Sequence, residues 1–250
     1  MRTLRIEHNV LQPGNVSMQR IVVLNPKGGS GKTTIAINLA SYYAQRGERL
    51  VMMDFDPQGS STHWLSKRMA TQPRIGLIAA FERDPRMTRS FQLRIPNGTD
   101  RVVVDTPAAL QANQIPELIQ GADKILVPVL PSDIDIHACS RCVQNLLLVA
   151  KLRRDENRLA IIANRVRRNT LIYQSLMRFL ATFNIPIVAT LRDSQNYVRS
   201  AETGLGLPEM KPQLVAQDWA DWQSLLAWLQ QPSTIGAKNL SAAASMQQAR

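Results

Sequence analysis

Ile21-Val22-Val23-Leu24-Asn25-Pro26-Lys27-Gly28-Gly29-Ser30-Gly31-Lys32-Thr33-Thr34-Ile35-Ala36-Ile37-Asn38-Leu39-Ala40 is the stretch whose reading decides the fold. A short apolar run, a glycine-rich turn and a helical pattern follow one another, which is the strand–loop–helix context a phosphate-binding loop requires. Gly28, Gly29 and Gly31, with Ser30 between them, let backbone N–H groups turn inward around a phosphate chain. The helix that follows adds partial positive charge at its N-terminus. Lys32 is placed to reach the β and γ phosphates, the Thr33 hydroxyl to hold Mg2+, and Thr34 completes the loop. One position departs from the common G-x-x-x-x-G-K-[ST] pattern: the residue five before Gly31 is Pro26, and a second lysine, Lys27, opens the glycine pair. Lys27 is too early in the loop to duplicate Lys32 and suits a nucleotide held by another subunit. The alternative is a solvated loop lysine.

Two acidic elements follow in order. Met53-Asp54-Phe55-Asp56-Pro57-Gln58 sets two acids astride one residue at the end of a second apolar run, so both face one crevice; either alone could instead cap a helix. Arg101-Val102-Val103-Val104-Asp105-Thr106-Pro107 ends a continuous apolar run in an acid, the Walker B arrangement, with Asp105 holding Mg2+ through water. The Asn-Lys-x-Asp element of GTPases does not occur. Further out, the expected strands are 21–24, 50–53, 102–104, 124–129, 159–163 and 187–190. The expected helices are 32–45, 115–119, 134–152, 171–183, 195–202 and 214–229. Continuous rather than alternating apolar runs mark strands covered on both faces. The β-α-β order predicts an α/β fold: a doubly wound, mainly parallel sheet with helices on both faces and ligands at the carboxyl ends of the strands. Residues 20–230 read as one such domain, between a loosely held extension (1–19) and a Ser/Ala/Gln-rich mobile tail (231–250).

The 250-residue chain carries a formal charge of +11 and is 44% hydrophobic. It contains no apolar run long enough for a membrane helix, and its start lacks a signal-peptide pattern. Residues 141–200 hold 11 Lys/Arg against 3 Asp/Glu. Clustered arginine is the footprint of a polyanion surface, or else a solvated basic face. Arg165, Arg167, Arg168, Arg192 and Arg199 are the candidate phosphate contacts, chosen by clustering alone. Cys139 and Cys142 form a lone C-x-x-C that cannot close a four-ligand metal site by itself. Two buried, reduced helix cysteines in a reducing cytoplasm are expected, with an iron–sulfur site shared between subunits as the alternative.

Lys27-Gly28-Gly29-Ser30-Gly31-Lys32-Thr33, with its early lysine, resembles the deviant Walker A motif of the ParA/MinD family of ATPases. The longer string from Asn25 is similar to the small ParA-type members, which include plasmid-partition ATPases and the McdA-type group that spaces carboxysomes. The resemblance implies that ATP and Mg2+ are bound, and that Lys27 crosses the interface of an ATP-dependent homodimer to contact the partner's ATP. It implies that Asp56 positions the attacking water, and that Asp54 supports the Mg2+ and Thr33 shell. It also implies that Asn164, in Ile161-Ile162-Ala163-Asn164-Arg165, lies against the adenine edge, for which an amide both donates and accepts.

Within such a family the expected function is a positioning ATPase. Its dimer binds nonspecific (nucleoid) DNA in the cytoplasm and leaves it when a cargo-bound adaptor, McdB- or ParB-like, stimulates slow hydrolysis. Thr62-His63-Trp64-Leu65 and Thr88-Arg89-Ser90-Phe91-Gln92-Leu93-Arg94 look closer to the McdA-type group, which sets carboxysomes ahead of plasmids as cargo. The competing classes are a MinD-like membrane-surface ATPase, an iron–sulfur carrier and a degenerate scaffold. Against the first, the segment from Gln217 to Leu229 has three tryptophans and two aspartates but no basic residue. Anionic lipid repels such a helix, and no membrane partner is expected. Against the last, Lys27, Lys32, Thr33, Asp56 and Asp105 are all retained.

Overall fold

Among the described residues seven strands lie side by side, all parallel, and the glycine-rich loop leaves the middle one. In chain order they are β1 (Gln19–Val23), β2 (Leu50–Asp54), β3 (Gly76–Ala79), β4 (Arg101–Asp105), β5 (Lys124–Val129), β6 (Leu159–Val166) and β7 (Ile187–Arg192). Across the sheet the order is β3-β2-β4-β1-β5-β6-β7, and every pairing is parallel. The structure, a computed structural model, describes residues 18–233. The longer helices are α1 (Lys32–Gln45), α2 (Ser60–Ser66), α5 (Asp133–Leu148), α6 (Leu171–Ala181), α7 (Gln195–Thr203), α8 (Pro212–Ala220) and α9 (Gln223–Gln230). Two single turns, α3 (Arg89–Gln92) and α4 (Ile115–Leu118), complete the set.

Successive residues of β1 serve different layers, because strand side chains alternate between faces. Ile21 and Val23 pack with α1, Trp64, Trp222 and Leu229, whereas Val22 and Leu24 pack with Cys139, Cys142, Leu146 and Leu176. That sandwich explains why the central strands read as unbroken apolar runs. The two thiols are therefore core side chains on α5. Burial pushes Cys139 up to about 12 and Cys142 higher still, as desolvation of a thiolate requires. No group of three or more potential metal ligands of the His, Cys, Asp or Glu type occurs among the described residues.

Several boundaries differ from the sequence reading. β3 was not foreseen. Gln19, assigned to the extension, begins β1, and its side chain donates to the Leu229 carbonyl at 2.9 Å. α5 stops at Leu148 rather than 152. The single helix expected over 214–229 divides into α8 and α9 at Asp221 and Trp222. Asp221 is held by Arg168 at 2.8 Å and by the Arg192 N–H, while Trp222 turns fully inward and donates to the Tyr197 hydroxyl at 3.0 Å. Trp228 is also buried and donates to Asn157 Oδ1 at 2.7 Å. These two rings are packing groups. No helix among the described residues is long and apolar enough to cross a membrane. The remaining calls on residues 1–17 and 234–250 lie outside the described residues.

Lys124, at the foot of β5, is fully buried; its ammonium donates to the Asn157 carbonyl at 2.7 Å and lies 4.1 Å from the centre of the Trp228 ring. Burial lowers it to about 8. The unfolded chain therefore holds the proton more tightly, and folding stability from this group is regained as pH rises from 8 toward the free lysine value. Chemical denaturation of wild type and Lys124→Met at pH 7.5 and 10 is expected to show wild type gaining about 1–2 kcal/mol relative to the variant at the higher pH. A pH-independent difference would mean that the ammonium is not desolvated.

Candidate functional site

Strand register sets the site. Val23 of β1 lies beside Asp105 of β4, and Asp105 beside Asp54 of β2. Three adjacent strands thus end at one level, at the carboxyl edge of the sheet, where the phosphate loop rises from β1. The loop is fixed from both sides. Asn25, wholly buried, donates to the Pro128 carbonyl at 2.6 Å and accepts the Lys27 N–H at 2.9 Å. The Pro26 carbonyl accepts the Ala109 N–H at 2.7 Å, and the Thr106 hydroxyl donates to the Val23 carbonyl at 2.8 Å. Gly31 starts α1 at φ 95°, a conformation that favours glycine. A Cβ there would lie 2.1 Å from Nδ2 of Asn164. Gly31→Ala is accordingly expected to cost about 2–4 kcal/mol in stability or to displace Asn164 and the loop. Nucleotide affinity should fall with it, as calorimetric titration with ATP will read.

Lys32 is 6% exposed, and its ammonium donates to the Lys27 carbonyl at 3.2 Å, so the side chain curls back under the loop. Burial lowers its pKa, while Asp105 and Asp56 oppose that shift. The Lys27 ammonium makes no hydrogen bond or ion pair among the described residues. Thr33 and Thr34 occupy the first turn of α1 and are partly exposed. Gly28 and Gly29 lie exposed at the crest of the loop, and Ser30 is buried behind it.

Asp105 is fully buried, and neither carboxylate oxygen has a hydrogen-bond partner. Burial raises it to about 7, with the nearby Thr33 hydroxyl and Lys32 ammonium pulling the other way. An orphaned carboxylate facing a threonine hydroxyl at a strand end is the donor set a hard divalent cation takes, so the residues present fit Mg2+.

The two acids of the second strand end play unlike parts. Asp54 is fully buried. Its Oδ2 accepts the Thr62 N–H at 3.0 Å and the Thr62 hydroxyl at 2.8 Å, and its Oδ1 accepts the Asp56 N–H at 3.1 Å. The sequence expectation placed Asp54 in the Mg2+ and Thr33 shell; in the structure its oxygens are engaged in fixing Asp56 and the first turn of α2. Asp56 is half-exposed, its Oδ1 accepting only the Gln58 N–H at 3.0 Å. It opens on a 610 Å³ cavity that it lines with Phe55, Phe81, Pro107 and Leu110. Asn164, on β6, donates to the Ser30 carbonyl at 2.8 Å and accepts the Arg165 N–H at 3.0 Å. Both ends of its amide are thereby bound to the loop and strand.

The five candidate arginines separate. Arg165 and Arg167 are exposed and share Asp193 at 3.2 and 3.5 Å. Arg168, also exposed, pairs with Asp221 at 2.8 Å. Exposed pairs of this kind exchange partners at little cost. Arg199 is exposed on α7 and reaches Asn196 at 3.3 Å. Arg192 is different: it holds the fully buried Asp218 at 2.5 Å and touches Gln217, which ties β7 to α8. Removing it leaves a buried carboxylate unpaired. Sequence reasoning missed Asn25, Thr62 and Thr106. Asn25 had a signal, lying two residues before Lys27 at a strand end; Thr62, eight residues beyond Asp54, had none.

Residues 21–207 match the model of the CobQ/CobB/MinD/ParA nucleotide binding domain. The chain is 39% identical over 128 residues to the "Maintenance of carboxysome distribution protein A" of Gloeobacter kilaueensis, an alignment spanning 51% of this chain and 56%, about half, of that relative. It is 31% identical over 173 residues to the protein of the same name in Halothiobacillus neapolitanus, spanning 68% of this chain and 77% of the relative. Among solved structures, apo McdA from Cyanothece superposes with a TM-score of 0.66 at 18% identity, covering 84% of this chain and 100% of the other. A plasmid partition protein of Borrelia burgdorferi bound to AMPPNP superposes at 0.63 and 15% identity, covering 84% and 99%. These structural likenesses establish the fold.

Proposed function

We propose, since the chain belongs to the CobQ/CobB/MinD/ParA nucleotide-binding family, that it is an ATP-driven positioning ATPase: ATP closes a homodimer, the dimer rides on nonspecific DNA, and a cargo-bound adaptor triggers hydrolysis. The single observation that carries this reading is the pair of lysines. Lys32 is turned under its own loop, whereas the Lys27 ammonium has no partner among the described residues and only the Lys27 backbone N–H is held, by Asn25 Oδ1. A lysine so placed is available to a phosphate across an interface.

In this reading the backbone N–H groups of Gly28 to Thr34 cradle the phosphates, and Lys32 exchanges the Lys27 carbonyl for a phosphate oxygen. Thr33 and Asp105 hold Mg2+, which when bound supplies positive charge against the phosphate oxygens. Asp56, aimed by the clasp of Asp54 on its N–H, orients and polarises the attacking water. Asn164 meets adenine by exchanging its bond to the Ser30 carbonyl. Such chemistry is mainly positioning and charge neutralisation, so one carboxylate and two lysines suffice for a slow reaction. Arg165, Arg167, Arg168 and Arg199 supply the DNA phosphate contacts and Arg192 a structural brace. Dimerisation doubles the contacts, which makes binding steeply salt-dependent. The names of the carboxysome-distribution relatives favour carboxysomes over plasmids as cargo.

The test is binding to nonspecific duplex DNA with ATP, with ADP and without nucleotide, across a salt series. The reading predicts binding with ATP only, falling steeply as salt rises. Binding indifferent to nucleotide, or none, contradicts it.

A further inference from the structure

β3 closes one side of the sheet and, among the described residues, pairs only with β2. No further strand covers its outer edge among the described residues, and two grooves lie beside it, one of 680 Å³ that includes Leu77, Arg83 and Met87, the other of 350 Å³ that includes Met69, Arg74 and Leu77. Met69, Leu77, Met87 and neighbouring Phe91 are all large apolar side chains left exposed, at 64, 41, 48 and 59%. Exposed apolar groups gathered around an unpaired strand edge mark an interaction surface.

The charge around that edge is one-sided. Residues 67–94 contain seven Lys/Arg and two Asp/Glu. The acids are partly consumed, since Asp84 is paired with Arg86. Arg68 is engaged with Glu209 in a buried ion pair. The guanidinium groups of Arg74, Arg83 and Arg94 have no partner among the described residues. Main-chain pairing at a sheet edge supplies affinity, and flanking side chains supply specificity. Interleaved methionine, leucine and phenylalanine favour a polypeptide over a nucleic acid, and the free arginines favour one that carries carboxylates.

We propose that the free edge of β3 docks an extended segment of a partner protein, apolar at alternating positions and acidic between them, which adds to the sheet as an eighth strand. The site is independent of the nucleotide reading but lies close to it. Ala79 is in register with Asp54, and the Phe81 N–H donates to the Asp54 carbonyl at 3.0 Å. A strand pinned on β3 therefore bears on the residue that clasps Asp56.

The probe is a fluorescein-labelled octapeptide alternating valine and glutamate, titrated with the full chain by fluorescence anisotropy without nucleotide. A valine–lysine octapeptide serves as control, and hydrogen–deuterium exchange is followed over residues 76–79. Saturable binding of the acidic peptide alone is expected, weakened about tenfold or more by Arg74→Glu with Arg83→Glu, with exchange at 76–79 slowed about tenfold at saturation. The thermal midpoint of the double variant guards against misfolding, and Met69→Ser with Met87→Ser, which leaves the charge intact, provides a second route to lost affinity. The proposal is overturned if the acidic peptide fails to saturate, if both peptides bind alike, or if exchange at 76–79 is unchanged. It is overturned equally if duplex DNA rather than peptide is what the arginines bind, or if protection grows with protein concentration alone, which makes a second copy the occupant.

Discussion

Asp56→Ala is expected to lower ATP turnover by about 10²-fold or more while leaving ATP affinity within a few-fold of wild type. The expectation follows from what the carboxylate touches. It contributes no bond to the phosphate loop, and its one hydrogen bond is to the Gln58 N–H in its own turn. On the proposed function, removing it takes away a water-orienting group rather than a nucleotide contact, so binding is expected to survive and the ATP-bound state to accumulate. A structural objection is that the same oxygen shapes the turn into α2. Asp56→Asn answers it, because an amide oxygen keeps the Gln58 contact while losing the charge. Turnover as low as in the alanine variant assigns the loss to chemistry; restored turnover assigns it to the turn and sinks the proposed role. Steady-state phosphate release and ATP titration of the three proteins give both quantities.

Asp105→Asn is expected to do two things that rarely go together: raise the stability of the nucleotide-free protein and abolish Mg2+-dependent turnover. Both carboxylate oxygens of Asp105 are buried without a partner, and burial raises the group to about 7. The folded protein therefore holds this proton more tightly than the unfolded chain. The stability linked to it is present at low pH and lost as pH rises from about 4 through about 7. At pH 8 the amide removes a buried charge, for a gain of about 2 kcal/mol and a thermal midpoint higher by about 4–8 °C. At pH 5, where the unfolded carboxyl is already mostly ionised, the gain should shrink to less than half. On the proposed function, Mg2+ would reverse the balance in wild type by giving the carboxylate a partner. Its binding releases a proton, so Mg2+ affinity should rise from pH 6 to pH 8. Scanning calorimetry at pH 5 and 8, with and without Mg2+ and ATP, checks each sign. A variant less stable than wild type at pH 8 would mean that Asp105 is satisfied within the protein.

The glycine-rich loop between strand and helix, the two acidic strand ends and the doubly wound order were legible because each rests on local pattern: glycines between an apolar run and a helix, acids closing apolar runs. What escaped rests on tertiary contact. β3 is four residues, Gly76-Leu77-Ile78-Ala79, at the sheet edge. It is too short and too poor in β-branched residues for the period to register. The apolar spacing of 214–229 runs on through Asp221 and Trp222, yet the helix breaks there because Arg168 and the Arg192 N–H hold Asp221 while Trp222 turns into the core. Charge counting set Arg192 beside its neighbours, and only the fold reveals the buried Asp218 beneath it. Likewise a spacing of two residues placed Asp54 and Asp56 in one crevice, but the partner that engages Asp54 is Thr62, from the next helix.

On the proposed function, Lys27 serves a nucleotide other than its own. Sedimentation velocity of Asp56→Ala with Mg2+ and ATP, compared with the Lys27→Ala, Asp56→Ala double variant, tests it most directly, since slow turnover holds the ATP state in both. A dimer is expected for the first and a monomer that still binds ATP for the second. A dimer that persists without Lys27, or ATP binding lost along with it, would contradict the claim and return Lys27 to an ordinary loop residue.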